Sequence, residues 1–481
     1  MSDPRGLTIP PNQELLDEKL EGLTAAIPDQ GKLIRAIGDF IRTAPDDELV
    51  RINPIRFGQQ RGFPPDAVVG AFLHARRLGL LTMEWQYVCP GCGEIVERLP
   101  SLAFATAHSF CQVCGADRDA DLSDFIEITF TVSPKVRLSR YHDPWSLPAE
   151  EHFLGYRFTQ SGVVDDGTPL RERLRSWVVA CAYVEPGATK TFEVTAEPGY
   201  LWLTNGLGLI VGPDRTEECR VFACEYTGSR SKGLRTEIAA GPVRIVFTNA
   251  TDERYALMIT RFTESYGLTL ESFLSGAELL SNQTFRELFA SETMAAGEGL
   301  AVKRLALLFT DLQGSTALYD RIGDTKAFDL VRTHFGYLRE CIASHTGAMV
   351  KTIGDAVMAS FVEPLDALRA ALEIHARIGR FNAEAGHELL RLKAGIHAGA
   401  CLAVTLNDRL DYFGQTVNIA ARVQELSGPH ETVVTDDILL QPGARELVAG
   451  LPIESRDVQL QGVSGGIRVH RLREVTASAR Q

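Results

Sequence analysis

Three stretches in the C-terminal third carry residues whose types and spacing suit phosphoryl chemistry. Asp311 closes the apolar run LALLF and is followed by Leu312, Gln313, Gly314, Ser315 and Thr316. A carboxylate at a strand end, then a small-residue turn feeding a helix, suits metal and phosphate together, because turn amides and a helix N-terminus face an anion. Capping of that helix is the plainer alternative for Asp311. Asp355 lies in KTIGDAVM, where in isolation it reads as a turn residue. Taken together, two aspartates on neighbouring strands can hold two divalent cations, Mg²⁺ or Mn²⁺, with substrate phosphates completing the shell. A metal pair of that kind activates a nucleophilic oxygen and neutralises a leaving phosphate. In LDYFGQTVNIAARV, Asn418 and Arg422 are four apart and project from one helix face. Arg422 could stabilise charge developing in transfer; a solvated polar face is the alternative.

A second set of residues suits a different metal. Cys89-Pro-Gly-Cys92 and Cys111-Gln-Val-Cys114 are separated by 18 residues. Two such knuckles predict a structural Zn²⁺ ribbon, with four thiolates closing the tetrahedron and no position left for substrate. A redox dithiol and four unrelated cysteines are the alternatives, and His108 between the pairs is not needed as a ligand. The preceding PPDAVVGAFLHARRLGLLTMEWQY resembles the recognition helix and following strand of a winged-helix domain, with a small basic spot at Arg76 and Arg77. Contact with DNA and simple packing on the ribbon are its two readings.

FTDLQGST, VKTIGDAVMASF, LKAGIHAG and DYFGQTVNIAARV occur in that order. Residues about 302–474 thereby resemble the catalytic domain of class III nucleotidyl cyclases. The resemblance implies conversion of a nucleoside triphosphate to a 3′,5′-cyclic monophosphate and pyrophosphate. It gives Asp311 and Asp355 the two metals, and Lys351 and Asp411 the purine. It gives Asn418 the ribose and Arg422 the pentavalent phosphorus. Lys351 is a pure donor, suited to adenine N1, and Asp411 a pure acceptor, suited to the N6 amino group. Guanine would leave both mismatched, so the pair favours ATP. In the family the metal aspartates come from one subunit and the other residues from its partner, which implies a homodimer with two composite sites. Where many members carry a triphosphate lysine near the C-terminus, Gln461 stands here. His397 reads as a packed strand residue. A cyclase-fold sensor without turnover and a zinc-ribbon, winged-helix DNA-binding regulator are the competing functions.

The elements that must position these residues follow from periodicity. LALLFTDL reads as a buried strand, TKAFDLVRTHFGYLRECIASH as a helix, AMVKTIG and DAVMASF as a hairpin around Gly354, PLDALRAALEIHARIGRFN as a helix and LLRLKAGIHAG as a strand. That order is the ferredoxin-like βαββαβ arrangement. The whole chain therefore reads as multidomain α+β. Residues 1–85 are helical, with a winged-helix-like type as one reading, 86–120 the zinc ribbon, 121–280 an all-β, sandwich-like regulatory region, 281–300 a helical connector and 301–475 the cyclase domain.

Length and charge bound the rest. The chain has 481 residues, 45% of them hydrophobic and 23% charged, which is ordinary globular composition. The formal charge of −13 argues against nucleic acid as a partner across the whole surface. No apolar stretch reaches the roughly 20 residues of a membrane span. No apolar leader is visible, and cysteines in metal spacing suit a reducing compartment, so the cytoplasm is expected. An effector of residues 1–280 is expected, but no motif specifies it.

Overall fold

The computed structural model describes residues 9–228, 235–263, 266–295, 297–314, 323–384, 390–463 and 465–473. It divides into two compact units. The first comprises Met1–Pro100, Thr106–Ala120 and Asp124–Leu274; the second comprises Ser101–Ala105, Asp121–Ser123 and Ser275–Gln481.

In the first unit, apolar residues at three and four spacing fold as α1 (Gln13–Ala26) and α2 (Gly31–Thr43). They are followed by α3 (Pro54–Arg61) and α4 (Pro65–Arg77), each with proline in the first turn, where its missing N–H costs nothing. The edge-to-face series Phe40, Phe57, Phe72 and Phe130 runs from these helices to a sheet, with centroids 5.2–5.3 Å apart. That sheet contains β1 (Leu81–Val88) between β2 (Ile95–Leu99) and β5 (Ile126–Val132). FIEITFTV, read from sequence as the start of the β-region, is therefore a neighbour of β1. A separate hairpin, β3 (His108–Cys111) with β4 (Ala116–Asp119), carries the second cysteine pair.

Residues 140–177 correct the all-β expectation for 121–280. They form several short helical segments, of which α5 (Leu170–Trp177) buries Leu170 and Leu174. The seven-stranded sheet comes after them: β6 (Val178–Val184), β7 (Thr189–Ala196), β8 (Gly199–Leu203), β9 (Gly208–Arg215), β10 (Arg220–Tyr226), β11 (Arg235–Asn249) and β12 (Tyr255–Phe262). The order is β10-β11-β9-β8-β12-β6, with β7 also on β11. Leu201, Leu203, Leu209, Ile245, Phe247, Leu257 and Ile259 form its core.

In the second unit a short helical turn, Gly276–Leu280, precedes α6 (Gln283–Leu288), which is N-capped by Asn282. Within the helical connector expected over 281–300, this helix stops at Leu288. Beyond it, the Glu292 carboxylate accepts from the Leu102 N–H. The eight-stranded sheet follows: β13 (Gly299–Leu312), α7 (Asp324–Ser344), β14 (Ala348–Ile353), β15 (Ala356–Phe361), α8 (Pro364–Glu384) and β16 (Leu392–Leu406). Then come β17 (Arg409–Phe413), α9 (Gln415–Glu425), β18 (Glu431–Thr435), β19 (Ile453–Val458) and β20 (Ile467–Arg473). The order β14-β15-β13-β16-β18-β20-β19, with β17 also on β16, contains the 2-3-1-4 arrangement of a βαββαβ unit. Leu305–Leu308 are all fully buried, as a central strand covered on both faces requires. The small remote segments join this unit through backbone bonds. Leu122 N–H donates to Ala301 (2.9 Å), Ala277 N–H to Leu122 (2.9 Å), and Asp121 bridges Ala301 in parallel.

Candidate active site and cysteine cluster

The two aspartates reach one end of the sheet by register. The β13–β15 ladder ends with Thr310 opposite Val357, so Asp311 and Asp355 lie just beyond the last pair, on adjacent strand ends. Asp355 follows Gly354 in the two-residue turn joining β14 to β15. Gly354 has φ +63°, as the first position of such a hairpin turn requires. Asp355 Oδ2 is buried and has no hydrogen-bond partner among the described residues. An unsatisfied carboxylate oxygen at the end of a sheet, beside a second carboxylate, fits a hard cation. Leu312 is buried, the Gln313 N–H donates to Arg391 O (2.8 Å) and Gly314 has φ +75°. Ser315 and Thr316, the rest of the expected phosphate loop, lie outside the described residues.

Lys393 is the residue that sequence reasoning missed. It faces Asp311 in the β13–β16 register, and its ammonium lies 2.6 Å from Asp311 Oδ2. The signal was present: one cation in LKAGIHAG, an otherwise small and apolar strand.

Lys351 and Asp411 meet. The Lys351 ammonium donates to Asp411 Oδ2 at 2.5 Å, and Asp411 Oδ1 accepts from the Tyr412 N–H at 2.8 Å. An irregularity between Met349 and Lys351 shifts the β14 register by one residue. A bulge of this kind re-aims a side chain next to a site. Asp411 is 9% exposed and Lys351 37%, so the acceptor is sheltered and the donor accessible. The connector reaches both strands. Gln283 Oε1 accepts from the Met349 N–H (2.8 Å), and Arg286 donates to Leu410 O (3.0 Å) while lying 5.5 Å over the Tyr412 ring.

Asn418 and Arg422 share the exposed face of α9, whose Thr416, Ile419, Ala420, Val423 and Gln424 are buried. The helix sits close to the sheet because Gly395 has no side chain: a Cβ there would lie 2.3 Å from the Gln424 nitrogen. Thr416 also donates to Ala400 O. The Arg422 guanidinium donates to both oxygens of Glu425, at 2.7 and 2.9 Å. Both bonds come from Nη1, so one guanidinium nitrogen already meets a two-oxygen anion. Gln461 is exposed in the turn before β20. His397 is buried, with Nδ1 2.9 Å from Thr435 Oγ1, and burial lowers its pKa.

In the first unit the four expected cysteines converge. All four sulfurs lie within 4.8 Å of one another, with Cys89–Cys114 at 3.7 Å and Cys92–Cys111 at 3.6 Å. The edge of a ZnS₄ tetrahedron with bonds of about 2.3 Å is about 3.8 Å. Gly93 and Gly115 follow each pair at φ +77° and +62°, and their N–H groups turn back to Cys89 O and Cys111 O at 2.9 Å. Hydrogen bonds from Cys111 and Cys114 hold the Cys89 thiol well below the usual range. These residues fit a zinc ion.

Comparison with known proteins agrees with the C-terminal geometry. Residues 301–445 match the adenylate and guanylate cyclase catalytic domain. The C-terminal part of the chain is thus a class III cyclase catalytic domain. Residues 19–287, more than half of the chain, match the family of unknown function DUF5939, and the chain belongs to that family. Adenylate cyclase 1 of Rhizobium meliloti is 25% identical over 165 residues, covering 31% of this chain and 25% of that protein. An uncharacterised Mycobacterium tuberculosis protein is 30% identical over 198 residues, 40% of this chain and 48% of that one. The match spans 17% to 48% of the length of such curated relatives. Among solved structures, the adenylyl cyclase CyaB from P. aeruginosa is 18% identical with a TM-score of 0.32, over 37% of this chain and 98% of that chain. No helix among the described residues is long and apolar enough to cross a membrane.

Proposed function

We propose that the chain is an adenylate cyclase that converts ATP to 3′,5′-cyclic AMP and pyrophosphate. The observation that carries this reading is the Lys351–Asp411 pair, a donor beside an acceptor at 2.5 Å. It can open onto the N1 and N6 edge of adenine. Asp311 and Asp355 would hold two Mg²⁺ or Mn²⁺ ions. When bound, such ions lower the pKa of the ribose 3′-hydroxyl and offset charge on the phosphates. The 3′-oxygen attacks the α-phosphorus in line, its proton passing to water; the bond from the α-phosphorus to the bridging oxygen breaks, and pyrophosphate leaves with that oxygen. Asn418 orients the ribose, and Arg422 exchanges Glu425 for the α-phosphate as charge develops there.

Asn418 and Arg422 are exposed on a helix whose other face is buried, which suits completion of the site by a second subunit. The working form is then a homodimer with two composite sites. The N-terminal region regulates turnover, and α6 is the route, because it bonds to both strands that carry the base-reading pair. Cys89, Cys92, Cys111 and Cys114 bind structural Zn²⁺, and the protein works in the reducing cytoplasm.

The test is direct. Purified full-length protein is incubated with ATP or GTP and Mg²⁺ or Mn²⁺, and cyclic product is measured. Cyclic AMP from ATP supports the reading. A folded dimer that makes none under either metal removes it and leaves a nucleotide-binding sensor. Zinc is measured by elemental analysis; less than about one ion per chain, against the one that a four-cysteine site holds, refutes the structural site.

A further inference from the structure

A cavity of about 740 Å³ lies within the N-terminal unit, lined by residues between positions 45 and 175. Four of its lining residues are arginines: Arg140, and three carried by two helices, Arg56 on α3 and Arg171 and Arg175 on α5. Arg171 and Arg175 are four apart and so project from one face of α5, while Leu170 and Leu174 anchor that helix in the core. The Arg171 guanidinium is only partly exposed and lies near Gly155, where a Cβ would come within 3.8 Å of it. Neither Arg171 nor Arg56 makes a side-chain hydrogen bond or ion pair among the described residues. Arg175 has only a long contact with Glu150, at 3.8 Å.

The wall also carries the carboxylates of Asp46, Asp47, Glu48, Glu151 and Glu172, two of which are engaged by other arginines. Arg140 pairs with Glu151 at 3.0 Å, and Asp46 lies 3.5 Å from the buried Arg137. Burial lowers the Arg171 pKa, Asp47 and Tyr141 oppose that, and the like charges of Arg175 and Arg56 add to it. The partly buried Arg171 guanidinium, with no carboxylate at bonding distance among the described residues and two like charges nearby, is costly unless an anion is supplied. Three forks match the several oxygens of a phosphate, and a dianion offsets more of their mutual repulsion than one carboxylate can. The volume exceeds a bare phosphate and lies in the range of small-molecule pockets. The remaining wall is polar, with Asp47, Gln160 and Glu172 able to accept from hydroxyl groups.

We propose that this cavity binds a small phosphorylated, hydroxyl-rich metabolite, with its phosphate on Arg56, Arg171 and Arg175. Binding here does not depend on cyclase turnover, and the test reads binding alone. Full-length protein is titrated calorimetrically with glucose 6-phosphate, inorganic phosphate and glucose as probes, and the same titrations are made with R171Q and R56Q. The expected result is saturable binding of glucose 6-phosphate, weaker binding of phosphate and none of glucose. Each substitution should weaken binding about tenfold or more, the loss of one charge-assisted contact. Absence of saturable binding by both phosphate probes overturns the proposal. So does undiminished binding by the variants. The two substitutions lie on different helices, so if one variant fails to fold the other decides.

Discussion

Lys393 and Asp311 face each other across the β13–β16 pair, with an ammonium nitrogen 2.6 Å from Oδ2 of the carboxylate proposed to hold metal. A cation already on that carboxylate competes with a divalent ion for the same oxygens. Replacing Lys393 by Met should therefore tighten Mn²⁺ binding to the nucleotide-free protein by about three- to tenfold, the Coulomb cost of one partly exposed neighbouring charge. Titration followed by Mn²⁺ electron paramagnetic resonance measures this. Weaker Mn²⁺ binding in the variant would show that Lys393 orders Asp311 rather than competing for it.

Asp355 poses a conflict between stability and activity. Its Oδ2 is buried without a partner among the described residues, and an unsatisfied buried oxygen destabilises the fold by about 1–3 kcal/mol. Asp355→Asn removes the charge while keeping the shape. The variant should unfold at a temperature equal to or above that of the natural chain, yet lose essentially all turnover. Asp311→Ala should lose turnover too. Measured melting curves and cyclic-AMP assays separate the two effects, and full activity in Asp355→Asn would exclude Asp355 from the metal site.

Base choice rests on Lys351 and Asp411. Guanine offers an N1–H donor and an O6 acceptor, the reverse of adenine's edge, so Lys351→Glu combined with Asp411→Asn offers the complementary groups. The double variant should shift the GTP-to-ATP ratio of kcat/KM by about a hundredfold or more, because a hydrogen-bonding site rejects a mismatched edge strongly. Unchanged ATP selectivity would remove these two residues from base recognition.

Acid should weaken the cyclase unit before it affects the carboxylates. His334 and His375 are buried, and burial lowers both pKa values to about 4, below the ordinary value near 6.5. Both histidines stay neutral in the folded state between pH 4 and 6.5, whereas the unfolded chain takes up protons there. Stability is therefore full above about pH 6.5 and falls with decreasing pH by about 1.4 kcal/mol per unit for each histidine. The loss levels off below about pH 4. Denaturant midpoints across this range measure the slope, and His375→Asn should roughly halve it, as one of two such groups is removed. A variant slope equal to that of the natural chain would refute the assignment.

What the sequence revealed and what it hid differ in range. The order of strands and helices after residue 300 was legible because LALLF is a continuous apolar run and two helices of 21 residues carry clear periodicity. Short hydrogen-bonding motifs were legible for the same reason: the cysteine pairs and the Gly354–Asp355 turn are local. Lys393 was not, because its meaning comes from a partner 82 positions earlier that only the β13–β16 register supplies. The bulge at Val350 leaves no composition signal, yet it helps to aim Lys351. The helical stretch between residues 140 and 177 was hidden because its pieces are too short to show a period. The cavity arginines come from α3 and α5, more than a hundred residues apart.

The short segments Ser101–Ala105 and Asp121–Ser123 change what can be cut. They precede the cyclase sequence by well over a hundred residues, yet the Leu122 N–H donates to Ala301 O, the Leu122 carbonyl accepts from the Ala277 N–H, and the Leu102 N–H donates to the Glu292 carboxylate. A fragment starting at residue 281 would expose the edge at Ala301 near the start of the strand that ends in Asp311. Its altered activity would report a missing backbone neighbour as readily as a missing regulator. The catalytic part is thus not an exchangeable cassette: a graft onto another sensor would have to bring these two distant stitches with it, which ties the inheritance of the front of the chain to that of the back.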